Sequence, residues 1–501
     1  MAGRQLAAAP SPPLVNSRGD PVTVVHLTAE YLPFARTGGL AEAVTGLANF
    51  QHAGGLPTAV LMPLYRTVRE EAPDLEPVGQ PFRVPLGARA EEARLFRVAG
   101  RTRGPQVYFL EHLEYFNRAG IYGEGASDYP DNARRFAFLA LAACLALPRV
   151  ASGPLILHAH DWHTALAPVY LRTVLSGEPW AREAYAVVSI HNPGYQGHFA
   201  PEAMSELGLP PELYNWRQLE WYGKVNFLKG GLAFTDSAVT VSPTQAAELR
   251  TPGGGFGLHA MFVDLGERLV GILNGIDQRV WDPSQDTQIT ARYSADQLQG
   301  KQRCKGALQR SYGLPQRKKV PLLGMTGRLV TQKGLDLIFR SWRLLGHEAQ
   351  FVFLGGGEPR YEQALVDLAS AAPHRIGVQL DFTDRLEHRL MAGVDMFLMP
   401  SLYEPCGLTQ MRAQRYGALP IARRVGGLAD TIEDGVTGFL FDAYDAEALE
   451  AAAFRALDAF ANTARWTAMM RDAMARDFSW ERSVAAYTDV YRRVAAAAPR
   501  A

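Results

Sequence analysis

The stretch VDMFLMPSLYEPCG, residues 394–407, holds a short apolar run stopped by Pro400, then a polar turn carrying the carboxylate of Glu404. A run this short, apolar at nearly every position and bounded by a turn, predicts a strand covered on both faces of a parallel sheet. Ligands of such sheets bind at the carboxyl ends of strands. Glu404 therefore falls where a substrate belongs, ahead of Gly407, which lets a backbone approach closely, and of a helix predicted from Leu408. A solvated carboxylate is also ordinary in any surface turn. Its company has to decide.

The same pattern recurs outward from this point. Short apolar runs at 322–326, 350–354, 377–382 and 419–422 alternate with helical patterns, and so do earlier runs at 22–27, 58–62, 106–110, 155–158, 186–190 and 239–241. Strands alternating with helices predict an α/β chain of parallel sheets covered on both faces. At 501 residues the chain exceeds one ordinary core, so two doubly wound domains are expected. A glycine-dense loop, TPGGGFGLHAM at 251–261, and a strand-like run opening at 269 put the boundary there. The expected division is a disordered tail over 1–21, an acceptor domain over 22–268, a nucleotide-sugar domain over 269–475 and a terminal helix over 476–501.

Composition excludes more than it assigns. The 51 basic residues balance 51 acidic ones, so no global charge argues for nucleic acid or an anionic membrane as partner. Three cysteines, Cys144, Cys304 and Cys406, give neither a disulfide framework nor a zinc spacing, which fits a reducing cytoplasm. The first twenty residues lack the apolar core of a signal peptide, and the apolar stretch 136–150 is broken by Pro148 and Arg149. No membrane segment is expected.

Chemistry-bearing residues cluster at predicted strand ends. Arg36, Thr37, Gly38 and Gly39 lie in the first strand-to-helix loop, where glycine backbone and a helix amino end suit phosphate or sugar hydroxyls. LHAHDWHT presents His158, His160, Asp161, Trp162 and His163 after another strand. Zinc is disfavoured there, since no fourth ligand cluster matches and Trp162 suits a sugar face. His191 and Asn192 of VVSIHNPGYQG complete a set fit for a sugar-hydroxyl pocket. In the second half, Arg328 and Lys333 of TGRLVTQKG are two cations across a strand-to-helix connection. Fixed donors of that kind stabilise a leaving diphosphate without requiring a metal. Two glycine clusters, Gly355–Gly357 and Gly426–Gly427, are expected to add flexible backbone near that edge.

Taken together, ARTGGLAEAV, HAHDWH, IHNPGYQG, ILNGID, GRLVTQKG, PSLYEPCGLTQ, RRVGGLADTI and DGVTGF, in this order, resemble the bacterial glycogen synthases and plastid starch synthases over about residues 22–495. The resemblance implies the GT-B fold, two Rossmann-like domains facing across a cleft, with the terminal helix packing back on the first. It implies retaining transfer of glucose from ADP-glucose to the non-reducing end of an alpha-1,4-glucan or malto-oligosaccharide, with no cofactor. Carried over by position, Arg328 and Lys333 hold the diphosphate, and Arg36, Gly38 and Gly39 close over it. Glu404 binds and positions the donor glucose, with Cys406, Gly407, Leu408 and Thr409 lining sugar and phosphate. His191 sits beside the reacting carbon, Asn274 contacts the donor, Phe382 packs on the adenine and Asp161 faces the acceptor, with Asn192, His160 and Trp162 on the acceptor side.

Retention by a carboxylate nucleophile is the pattern of retaining hydrolases. The resemblance implies instead a same-face reaction in which the leaving phosphate oxygen takes the acceptor proton. Three positions depart from the family pattern: Arg36 replaces a lysine, Leu402 an arginine, and Arg412 stands where an aromatic or a second glutamate is usual. Two alternatives stay open at this point: a GT-B transferase with another acceptor or nucleotide, giving a small malto-oligosaccharide or maltosyl phosphate product, and a glucan- or nucleotide-binding protein of little turnover.

Overall fold

Short buried strands alternating with helices build two large sheets, beside a three-stranded and a two-stranded one, seen in a computed structural model that describes residues 13–71, 74–101, 104–125 and 127–497. The chain divides into two units: Met1–Val241 with Ala246–Gly275 and Trp480–Ala501, and Ser242–Gln245 with Ile276–Ser479.

The first unit holds a ten-stranded sheet. Its parallel core runs, side by side, through Leu269–Gly271, Ser237–Thr240, Ala184–Ile190, Leu155–His160, Thr23–Leu27, Thr58–Pro63 and Gln106–Glu111. The strand at Leu269 thus closes the first sheet instead of opening the second, because it pairs with Ser237–Thr240. Beyond Gln106–Glu111 the sheet continues antiparallel into Arg89–Val98, Leu75–Pro77 and Phe82–Leu86. Sequence periodicity missed these strands. RAEEARLFRV carries charge on its exposed positions and reads as a solvated segment until its partners cover alternate side chains.

The stretch 136–150 lies in the helix Asn132–Val150, buried along most of its length. Among the described residues no helix is long and apolar enough to cross a membrane. Of the tail expected to be disordered, residues 1–12 lie outside the described residues. The remainder is ordered: Leu14 is buried in a cluster with Val22 and Trp480, and Asn16 Oδ1 accepts the amides of Arg18 and Asp20. The terminal helix Trp480–Ala496 packs on the helix Gly39–Ala53. A Cβ at Gly46 would come within 2.2 Å of the Trp480 indole, so the seam needs glycine there. Burying Val490 and Val494 along it stabilises the unit by roughly 2 kcal/mol each.

The second unit carries a six-stranded parallel sheet in the order Ile376–Gln379, Gln350–Leu354, Leu322–Thr326, Met396–Met399, Leu419–Arg423, Phe439–Phe441. The run expected to reach Phe382 ends at Gln379, leaving Phe382 in the turn before the helix Asp384–Gly393.

Candidate active site

In the second sheet, chain order reverses between Leu322–Thr326 and Met396–Met399. Crossovers leave these two strands in opposite directions, which opens a crevice at their carboxyl ends. Arg328 and Lys333 follow the first strand and Glu404 follows the second. Lys333 Nζ donates to Glu404 Oε2 at 2.6 Å, and Ser401 Oγ donates to the same oxygen at 3.1 Å. Glu404 is 6% exposed and Lys333 half-buried. The Arg328 side chain is exposed and makes no hydrogen bond or ion pair among the described residues.

The 404–409 segment is held from behind. Cys406 is buried, Gly407 has φ +71°, and Thr409 Oγ1 lies 3.6 Å from Met399 Sδ while Leu408 caps the helix Thr409–Arg415. A Cβ at Gly426 would lie 2.0 Å from the Glu404 carbonyl, and one at Gly427 2.1 Å from that of Cys406. This glycine pair is close-packed support for the Glu404 loop, where the sequence suggested flexible backbone. Arg412 points away into the core: it is buried, pairs with Glu387 at 3.0 Å and sits 4.3 Å over the Trp281 ring. Its place in the family pattern is therefore filled by a structural cation. Leu402 is part-exposed, and its carbonyl accepts Arg423 Nη1 at 2.6 Å. Phe382 is 40% exposed.

The first sheet reverses between Thr23–Leu27 and Leu155–His160, and the second set of candidates gathers there. The Arg36 loop is not an open anion nest. Glu30, buried, accepts the Thr37 amide at 2.7 Å, the Gly38 amide at 3.3 Å and the Thr37 hydroxyl at 2.7 Å, while Tyr122 donates to it at 2.6 Å. A carboxylate of the chain itself thus takes the Gly38 N–H expected to face phosphate. Gly38 and Gly39 do border open space, since a Cβ at either meets nothing within 4 Å. Arg36 pairs with Glu42 at 2.7 Å.

Asp161 leaves its strand with φ +57°, a left-handed conformation that costs a non-glycine residue strain. Its Oδ1 accepts the amides of His191 at 2.7 Å and Asn192 at 3.4 Å, tying together two strand ends. Burial pushes its pKa up to about 7 against those two hydrogen bonds. Asn192, part-exposed, holds the Gly194 amide through Oδ1. His191 is part-exposed, and burial of its ring lowers its pKa to about 4. His160, expected on the acceptor side, is fully buried; its ring lies against His191, with His160 Nδ1 3.0 Å from His191 Nε2. Trp162 is half-buried among Phe136, His163, Phe199 and Phe227, so much of its ring serves packing. Asn274 is buried in the same unit.

Among the described residues, one group of metal-ligand type converges, His26, His158 and His160. All six of its ring nitrogens already sit at hydrogen-bond distance from a partner. An ion there would have to break that network, so the donor set fits a hydrogen-bond chain better than a ligand shell. Sequence motifs missed Glu30, Ser401 and this chain's Gln51 and Tyr491. Only His26 left a signal: parallel pairing sets it beside His158, and the alternation of a strand puts His160 on the same face.

A family model described as the starch synthase catalytic domain matches residues 23–264, and one described as glycosyl transferases group 1 matches 311–467. The chain is 44% identical over 481 residues to a glycogen synthase of Anaeromyxobacter sp. (strain Fw109-5), covering 94% of this chain and 99% of that one. It is 42% identical over 479 residues to a glycogen synthase of Syntrophotalea carbinolica, with the same coverage. Among solved structures, the catalytic domain of starch synthase IV from Arabidopsis thaliana, bound to ADP and acarbose, superposes with a TM-score of 0.85 at 31% identity, over 95% of this chain and 99% of that one. A sucrose-phosphate synthase from Thermosynechococcus elongatus shares the fold, with a TM-score of 0.60 at 17% identity over 94% of this chain and 98% of that one.

Proposed function

The chain belongs to the glycogen and starch synthases, glucosyltransferases of the GT-B fold, and from that membership we propose that it transfers glucose from ADP-glucose to the non-reducing end of an alpha-1,4-glucan, with retention. The observation that carries the site is the Lys333–Glu404 contact of 2.6 Å at the switch point of the second sheet, with Arg328 exposed on the Lys333 loop.

Departure of ADP concentrates negative charge on the β-phosphate. Arg328 and Lys333 stabilise it where it forms, and the proposed reaction needs no metal cofactor. Oε2 of Glu404 is held by both Lys333 and Ser401, which fits the carboxylate to a positioning part. Its role is to bind and orient the donor glucose, with Cys406, Gly407, Leu408 and Thr409 lining that position. The leaving phosphate oxygen takes the acceptor hydroxyl proton, so the new bond forms on the face the old one leaves. The exposed Phe382 ring offers a stacking face for adenine, and Asn274 belongs to the donor side. Arg36 and Gly39 are assigned to the phosphates, and His191, Asp161 and Asn192 to the sugars. His160 acts only through His191. Three buried cysteines, none joined in a disulfide among the described residues, support a cytoplasmic setting.

Purified protein, assayed with ADP-glucose or UDP-glucose and with glycogen or maltose, tests this reading. Labelled glucose is expected to enter glycogen from ADP-glucose, in EDTA as well as without it. Glucan binding with no transfer from either donor would overturn it, and transfer to maltose alone would replace the acceptor.

A further inference from the structure

Behind His191 runs a buried polar chain that the proposed reaction leaves unused. His191 Nε2 lies 3.0 Å from His160 Nδ1, His160 Nε2 2.9 Å from His26 Nδ1, and His26 Nε2 2.7 Å from Gln51 Oε1. Gln51 Nε2 then lies 3.1 Å from Tyr491 Oη, Tyr491 Oη 2.8 Å from His158 Nδ1, and His158 Nε2 2.7 Å from Ser189 Oγ. Gln51 belongs to the helix Gly39–Ala53 and Tyr491 to the terminal helix, and both are fully buried.

A neutral imidazole carries one proton and one lone pair, so every ring-to-ring contact needs a donor facing an acceptor. Burial keeps these rings neutral: His26 and His191 are lowered to about 4, His158 and His160 well below their ordinary value. The protons along the three rings must therefore all point one way. Both ends give the same direction. His191 Nδ1 is shut off from solvent and has no hydrogen-bond partner, and an orphaned buried N–H is a rarer, costlier defect than an orphaned acceptor. The proton thus sits on Nε2, toward His160. At the far end His26 meets the Gln51 oxygen, which can only accept, while the amide NH2 faces Tyr491.

We propose that hydrogen bonds donated in the order His191, His160, His26, Gln51, Tyr491, His158, Ser189 lock His191 in its Nε2–H tautomer, making Gln51 and Tyr491 positioning residues for glucosyl transfer. The inference rests on the assignment of His191 to the sugars. Nδ1 is then a bare acceptor with its lone pair unshared. That atom has no proton to give to the leaving phosphate.

The test uses the full chain with its histidine rings labelled in 15N and His191 identified by comparison with His191→Gln. Wild type is expected to show Nε2 protonated and Nδ1 bare. Gln51→Met removes the anchor at nearly constant size and is expected to give a tautomer mixture at His191, with kcat lowered about tenfold and KM for ADP-glucose within about twofold. Gln51→Glu keeps an oxygen toward His26 and is expected to restore the single tautomer and bring kcat within about threefold of wild type. Should Gln51→Met not fold, Tyr491→Phe frees the Gln51 amide to turn and is expected to shift the same resonance with a loss of about threefold in kcat. A protonated Nδ1 in wild type, or an unchanged His191 spectrum and kcat in Gln51→Met, overturns the proposal. Failure of the functional reading shows separately, as full transfer by His191→Ala, which removes the catalytic half and leaves the tautomer measurement standing.

Discussion

At the end of Met396–Met399 a carboxylate meets an ammonium at 2.6 Å, whereas at the end of Leu155–His160 three imidazoles meet one another at 2.9 and 3.0 Å. Both places are topological switch points of parallel sheets, so the fold offers each the same kind of crevice. Their chemistry differs because their burial differs. Lys333 is half-buried and Arg328 exposed, so both keep contact with solvent. His26, His158 and His160 lose solvent altogether and His191 keeps only part of its ring exposed, and burial holds all four neutral. One crevice is suited to a charge that appears during a reaction, the other to the neutral hydroxyls of a bound sugar.

The largest expected effect falls on the charged crevice. Lys333→Ala removes the donor assigned above to the departing diphosphate and is expected to lower kcat about 10³-fold, and Glu404→Ala by a similar factor. Steady-state kinetics with ADP-glucose and glycogen measures both. Turnover within tenfold of wild type in either variant would break the contrast, since the ions would then be structural.

The neutral crevice should show itself in stability against acid. Between pH 6.5 and about 4 the unfolded chain holds protons on these histidines that the folded chain lacks. Stability contributed by the lowered pKa values is therefore complete above pH 6.5 and is lost as pH falls through that window. By pH 4, His26 and His191 each withdraw on the order of 3 kcal/mol. Unfolding in urea across this range is expected to show a steep loss, and replacing His26 by Gln should flatten it. A midpoint independent of pH would mean the rings titrate as they do in water.

How much of this was legible in the sequence follows the same division. Arg328, Lys333 and Glu404 stand in loops after recognisable apolar runs, and a short loop leaves few places for them to go. The histidine chain was half legible. His158, His160 and His191 flag strand ends, but Gln51 and Tyr491 look like ordinary helix residues 440 positions apart, joined only when the terminal helix packs on the first. Glu30 escaped for another reason: nothing in a motif shows that an upstream carboxylate folds back onto the amides of Thr37 and Gly38. His160 and Arg412 show the converse, since a motif position says nothing about burial.

Asp161 lets the neutral crevice be tested with the opposite sign. Its pKa is raised from 3.8 to about 7, so the folded chain holds a proton that the unfolded chain loses, and stability falls as pH rises between those values. Asn at this position tolerates the left-handed backbone and still accepts the His191 amide. Asp161→Asn is expected to raise Tm by about 4 °C at pH 8 and to leave it unchanged at pH 4. An equal shift at both pH values would place the effect in packing instead of charge.

The smallest effect is expected where the two chemistries meet in one loop. Arg36 is a cation beside the neutral crevice, and its guanidinium is held by Glu42 at 2.7 Å on the first turn of the following helix. A lysine reaches Glu42 as a single point charge and gives up the planar fork, so Arg36→Lys leaves the loop's charge intact while freeing its geometry. With Glu30 already fixing the Thr37 and Gly38 amides, the loop does not depend on the guanidinium for its shape. Activity equal to wild type, or higher by up to about threefold, is expected in kcat/KM for ADP-glucose. A loss beyond tenfold would show that the arginine's forked donors are fitted to the phosphates, and would move this loop from the neutral side of the contrast to the charged one.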